Sequence, residues 1–145
     1  MKNDPFVIEK IFDAPIDRVW NAITAKDEMK HWYFELQEFE PRVGFEFQFT
    51  GGPADRQYLH LCVITAVVPG RKITYSWRYD GYDGISYVTF ELFPEAGKTR
   101  LRLTHAGLGD FPSDNPDFAP GNFAAGWTDI IGNSLRQYLE KNETS

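Results

Sequence analysis

Two periods divide the chain. From Phe6 to His105 apolar residues mostly fall on every second position, and beyond Asn122 they recur at every third and fourth. The first period belongs to strands with one buried face, the second to an amphipathic helix. Phe6 to Phe12 (FVIEKIF) predicts a first strand, ended by Asp13-Ala14-Pro15. Pro15 suits the first position of a helix, Asp17 places an acid in its first turn, and Asp13 is the candidate cap. Ile16, Val19, Trp20 and Ile23 follow helical spacing. A second short helix starts near Thr24-Ala25-Lys26-Asp27, with Met29 and Trp32 on its apolar side.

Strand spacing returns at Phe34. Phe34, Leu36 and Phe39 predict a second strand, stopped by Pro41. Val43, Phe45, Phe47 and Phe49 alternate with Gly44, Glu46, Gln48 and Thr50, which predicts a half-buried strand. Arg56 to Val67 predicts a long strand that is partly apolar on both parities, so its faces stay open. Ile73, Tyr75, Trp77 and Tyr79 alternate with Lys72, Thr74, Ser76 and Arg78. Asp80-Gly81 and Asp83-Gly84 predict a tight connection. Ile85 to Phe93 predicts another strand before a Pro94 to Gly97 turn, and Leu101, Leu103 and His105 alternate in the last one.

Gly107 to Gly121 breaks the rhythm and is long for a connection within one domain. Asn122 to Glu140 then places Phe123, Trp127, Ile130, Ile131, Leu135, Tyr138 and Leu139 on one wide apolar stripe. The order is strand, two helices, six strands, long helix. Strands and helices segregated in this way predict an α+β fold. An antiparallel sheet with one apolar face needs a cover, and the last helix is the available one. Helix and sheet either pack dry or leave a pocket between them.

The totals narrow the classes. A length of 145 residues fits a single domain, residues 1–145, which can bury roughly 70% of its unfolded surface. A net charge of -6 excludes a basic nucleic-acid footprint and attraction to anionic membranes. The single cysteine, Cys62, leaves no internal disulfide. The opening MKNDPF is not an apolar signal segment, and no apolar run reaches the ~20 residues of a membrane span. A soluble cytoplasmic protein is the expectation.

Aromatic residues make up 16% of the chain, and an excess of rings points to an apolar cavity or to a core that happens to use rings. Phe45, Phe47 and Phe49 share one face, as do Tyr75, Trp77 and Tyr79. If both rows face the helix they meet Phe123, Trp127, Ile130 and Ile131. Trp20, Trp32, Leu101 and Leu103 complete the candidate lining. The hydroxyls of Tyr75, Tyr79 and Tyr87 could orient a ligand, or else sit at the rim of a filled core. His105 shares the row of Leu101 and Leu103. It is either a general base or ligand contact, or a hydrogen-bonded core residue. His31 and His60 rank below it. Phe111 and Phe118, in the long connection, are candidate lid contacts or simply anchors of a surface loop.

Other chemistry is thin. No His, Cys, Asp or Glu pair has metal-ligand spacing, and Asp110, Asp114 and Asp117 lack the glycine and glutamate of a calcium loop. There is no GxSxG or glycine-rich phosphate loop, so no metal and no cofactor are expected. Cys62 reads as a buried small hydrophobe. Glu35 and Glu46 are possible catalytic carboxylates, though Glu46 falls on the parity opposite the phenylalanines.

Phe12-Asp13-Ala14-Pro15, Val19-Trp20, Ala22-Ile23-Thr24 and Trp32 resemble the opening of the activator-of-Hsp-90-ATPase-homologue family. Gly44 with the following phenylalanines, Ile73-Thr74-Tyr75-Ser76-Trp77, Thr99-Arg100-Leu101, Thr104-His105 and Gly126-Trp127 extend the resemblance in order over nearly the whole chain. The resemblance implies the START-like, birch-pollen-allergen-type superfamily and its helix-grip fold. That fold is a curved seven-stranded antiparallel sheet around a long C-terminal helix, with two short helices after strand one. The superfamily includes lipid and hormone carriers, polyketide cyclases and co-chaperone domains. The leading expectation is a non-catalytic protein that binds a hydrophobic or aromatic small molecule between helix and sheet. The alternatives are a co-chaperone-like partner of an Hsp-90-type chaperone, with a role in stress response, and an enzyme of cyclase or hydrolase type.

Overall fold

Among the residues the structure describes, alternation becomes a sheet of six antiparallel strands. The structure, a computed structural model, describes residues 5–32, 39–51, 58–107, 111 and 120–143. The strands are β1 (Phe6–Phe12), β2 (Glu46–Gly51), β3 (Tyr58–Val68), β4 (Lys72–Tyr79), β5 (Ser86–Glu95) and β6 (Lys98–Ala106), in the order β1-β6-β5-β4-β3-β2. Helices α1 (Ile16–Thr24) and α2 (Lys26–Trp32) lie between β1 and β2 in sequence. The C-terminal helix runs through α3 (Pro120–Asp129), a π-helical turn (Ile130–Leu135) and α4 (Arg136–Glu143). The strand predicted at Phe34 to Phe39 falls largely outside the described residues. Phe39 itself is buried but belongs to no strand.

Cross-strand register places one side-chain row over each strand. Phe6 pairs with His105, His105 with Val88, Val88 with Tyr75 and Tyr75 with Ile64. This inner face is the buried one; Val7, Ile11, Val63 and Tyr87 point away from it and are exposed. β3 resolves the parity left open by its sequence. Its register against β4 slips by one residue between Ile64 and Ala66. His60, Cys62 and Ile64 therefore face inward before the slip, and Val67 opposite Ile73 after it. A bulge that changes parity makes both parities apolar. Beside it the Ser76 hydroxyl accepts the Val63 N–H at 3.1 Å.

Three local expectations are corrected. Pro15 is the residue before the first helical turn, not within it, and Asp13 makes no cap, because α1 has no side-chain cap bond. Val43 is 62% exposed, since the chain turns at Gly44 (φ 92°) and the strand begins only at Glu46. Pro94 does not start a turn but pairs with Thr99. The turn is Ala96-Gly97, both with positive φ, which is the tight hairpin that matches strand twist.

The helix buries Phe123, Trp127, Ile131, Leu135 and Leu139, each four residues after the last. In an α-helix of 3.6 residues per turn, each such step overshoots by about 40°. Over this length the stripe would drift to the far side. The π turn, with its longer i→i+5 ring, holds more residues per turn and cancels much of the drift. The helix backbone comes nearest β1, while β2 to β4 carry the largest inward rings. At the other end Trp32 Nε1 donates to the Ala22 carbonyl at 2.8 Å, which fastens α2 to α1. Glu28 accepts from Arg18 and, at 3.0 Å, from the Tyr138 hydroxyl, which ties both short helices to α4.

Candidate functional site

The inner face of β2 to β6 and the stripe of α3 enclose a cluster of rings. Trp77 lies 5.6 Å from Trp127 and 5.3 Å from His105, centroid to centroid. Trp127 also meets Phe90 at 6.1 Å. Phe49 stacks on His60 at 4.5 Å and meets Trp77 edge-on. Phe111 stacks on Phe123 and meets Tyr79. Edge-to-face contacts of this kind suit the ring quadrupole and hold the rings in defined orientations.

At the centre runs a one-way chain of hydrogen bonds. Trp127 Nε1 lies 2.9 Å from His105 Nδ1, His105 Nε2 lies 2.7 Å from Ser86 Oγ, and Ser86 Oγ lies 3.0 Å from the Trp77 carbonyl. An indole N–H can only donate and a carbonyl can only accept. His105 Nδ1 is therefore the acceptor, Nε2 carries the proton and donates to Ser86, and Ser86 donates to Trp77. His105 is fully buried, and desolvation holds its imidazole down to about 3. Both ring nitrogens are used. In this arrangement no lone pair of His105 is left to take a proton from a substrate, and the serine proton points at backbone.

His60 is the second inward histidine. Desolvation pulls it down to about 4, against the backbone carbonyls of Tyr58 (3.0 Å from Nδ1) and Phe49, which favour its charged form. Burial pushes Cys62 and Tyr79 up, so both are neutral, and Trp77 Nε1 donates to the Tyr79 hydroxyl at 2.9 Å. Among the described residues no buried side-chain nitrogen or oxygen lacks a partner, and no group of three His, Cys, Asp or Glu is placed to hold a metal.

Most of the sequence candidates converge. Trp32, Phe47, Phe49, Tyr75, Trp77, Tyr79, Leu101, Leu103, His105, Phe123, Trp127 and Ile131 are buried, and Trp20, Phe45 and Ile130 are half-buried against them. Tyr87 does not join them. It is 42% exposed on the outer face, because Ser86, Val88 and Phe90 take the inward positions of β5. Phe111 is buried against the cluster, and Phe118 lies outside the described residues. Ser86 and the inward turn of His60 were missed. Ser86 shares its parity with Val88, Phe90 and Leu92, and a lone hydroxyl on an apolar row is a readable signal; for His60 the bulge hid the parity.

A groove of about 560 Å³ lies elsewhere, with the outward side chains Glu46, Gln48, Thr50, Leu59, Leu61, Val63 and Arg78 of β2 to β4 around it. No helix among the described residues is long and apolar enough to cross a membrane.

Solved structures share the fold. Protein MLL2253 from Mesorhizobium loti is 27% identical with a TM-score of 0.77, over 95% of this chain and 98% of that one. The Mll3558 protein from Rhizobium loti, 23% identical, reaches a TM-score of 0.81 over 94% and 96%. CalU16 from Micromonospora echinospora is 25% identical with a TM-score of 0.71, over 92% of this chain and 73% of that one. Comparison with curated proteins returns no match. The family profile described as "Activator of Hsp90 ATPase homolog 1-like protein" matches residues 13–140, from the corner after β1 through the ring cluster to α4. With that span covered, the chain belongs to the Activator of Hsp90 ATPase homolog 1-like family.

Proposed function

We propose that the protein binds an uncharged hydrophobic or aromatic small molecule between the C-terminal helix and the inner face of β2 to β4. One observation carries the reading. On β2 to β4, away from the strand β1 that the helix backbone meets, six buried rings share the inner face, Phe47, Phe49, His60, Tyr75, Trp77 and Tyr79, with the buried Cys62, Ile64 and Ile73 beside them. Rings give large contact area with few rotatable bonds, and they carry polar edges that can orient a guest. No inward side chain there is charged, since His60, Tyr79 and Cys62 are all held neutral by burial. A charged guest would meet no counter-ion.

The test is the intact mass of freshly purified protein under native and denaturing conditions. A discrete extra mass that disappears on denaturation is the expected result. A bare mass, together with no change in tryptophan fluorescence on adding indole or 2-naphthol, would overturn the reading. Trp127→Ala should cost about 3–5 kcal/mol in a denaturant melt, because the ring is enclosed by Trp77, Phe90 and His105.

The family description supports a second reading, contact with a chaperone of the Hsp-90 type. A pull-down against that chaperone, with its ATPase rate as readout, measures it directly. The cyclase or hydrolase reading loses its histidine, since the His105 nitrogens are committed to Trp127 and Ser86.

A further inference from the structure

The two halves of the outer sheet face differ in how their polar groups are used. Across β1, β6 and β5 they are closed on one another. Arg102 pairs with Glu9 at 2.6 Å and with Glu91 at 3.6 Å, and Arg100 pairs with Glu95 at 2.8 Å. Both guanidiniums also cover the Phe93 ring. Across β3 and β4, Thr65, Thr74 and Ser76 are hydrogen-bonded, but four polar side chains toward the β2 edge are uncommitted. Among the described residues Glu46, Gln48, Thr50 and Arg78 make no side-chain hydrogen bond, ion pair or ring contact. They surround a floor of Leu59, Leu61 and Val63, and this is the groove of about 560 Å³.

Register fixes the layout. Gln48, Leu61 and Arg78 form one row across the three strands, with Thr50 and Leu59 on one side and Glu46 and Val63 on the other. The bulge at Thr65 and the insertion of Ser76 between β3 and β4 interrupt regular pairing next to this row. A bulge bends and twists its strand, which accounts for a hollow beside it on the outer face.

We propose that this groove is a second binding site, separate from the interior, for a small apolar monocarboxylate such as an acyl or aryl acid. The guanidinium of Arg78 is a planar fork that matches a carboxylate in two parallel hydrogen bonds. The aliphatic floor takes the apolar body, and the volume falls in the range of small-molecule sites. Glu46 at one end of the groove repels a second anion, so a dicarboxylate is disfavoured. The interior and the groove then divide ligands by charge: the interior offers no counter-ion, and the groove offers one.

The experiment is a titration of the full chain, methyl-labelled for NMR, with octanoate, octanol and octylamine at low salt. Octanoate should shift the methyls of Leu59, Leu61 and Val63 and leave the Trp127 indole N–H in place. Octanol should bind the same methyls more weakly, and octylamine weakest of all. Arg78→Gln, with an unchanged melting temperature, should weaken octanoate binding by about tenfold, the cost of one lost charged hydrogen-bond partner. Glu46→Gln should leave it intact or tighten it. Equal binding by Arg78→Gln and wild type would overturn the proposal, as would no methyl shift at millimolar octanoate. Shifts confined to Trp77 and Trp127 would overturn it too, while leaving the interior reading standing.

Discussion

His105 is held by what its neighbours are able to donate. The indole of Trp127 can only give a proton and the Trp77 carbonyl can only take one, so the histidine between them has a single workable tautomer. His105→Phe keeps a ring of similar size but removes the Nδ1 that accepts the buried Trp127 N–H. The expected loss is about 1–3 kcal/mol in a denaturant melt. Combining it with Trp127→Phe, which removes the donor of that bond, should recover part of that loss; two additive losses would mean the bond contributes nothing beyond packing. Ser86 retains its bond to Trp77 in either variant, so its row should stay in register.

Elements here are shaped by mismatches that the chain absorbs locally. The four-residue spacing of the helix stripe does not fit an α-helix, and the π turn takes up the difference. Gly126 lies one residue before Trp127, exposed, and a methyl group there would meet nothing within 4 Å. Gly126→Ala should therefore stabilise the protein by roughly 0.5–1 kcal/mol through helix propensity alone. A loss on thermal melting would show that the segment needs glycine for another reason. In the sheet the corresponding device is Ser76, buried on the outer face, whose hydroxyl stands in for a missing ladder partner of Val63. Ser76→Ala should cost about 1–3 kcal/mol and speed hydrogen exchange at the Val63 amide, and unchanged exchange there would remove that role.

At the scale of the whole molecule the two inward histidines couple stability to pH. His60 and His105 are held down to about 4 and about 3, mainly by desolvation, from an ordinary value of 6.5. The folded state thus binds fewer protons than the unfolded one below pH 6.5. Their contribution is complete above that value and is lost as pH falls through it towards the folded values. Each histidine adds a slope of about 1.4 kcal/mol per pH unit in this window. Unfolding free energy measured from pH 7 to 4.5 should fall steeply, and His105→Phe should flatten the slope by about one proton. A slope unchanged by the substitution would mean His105 is already charged in the folded state.

Much of this organisation was legible in the chain. Period two gave the inward rows Phe47-Phe49, Ile73 to Tyr79 and Leu101 to His105, because a strand that buries one face must alternate. Periods of three and four gave the helix stripe, because only one side of that helix meets the sheet. Composition and order supported α+β, and the ordered residues from Phe12 to Trp127 carried the family. Other features depended on contacts between residues distant in sequence. The parity of β3 hinged on one inserted residue at Thr65, which period alone cannot locate. Tyr87 was misplaced because both parities of β5 carry apolar residues, Tyr87 and Phe93 on one and Val88, Phe90 and Leu92 on the other. The proton chain from Trp127 through His105 and Ser86 to the Trp77 carbonyl joins a helix to three strands. The contrast between the ion pairs of β1, β6 and β5 and the uncommitted side chains around the groove likewise arises only when strands are laid side by side. Local sequence determines which face of an element is apolar; pairing register and packing decide which polar atoms meet, and those meetings set charge, tautomer and site.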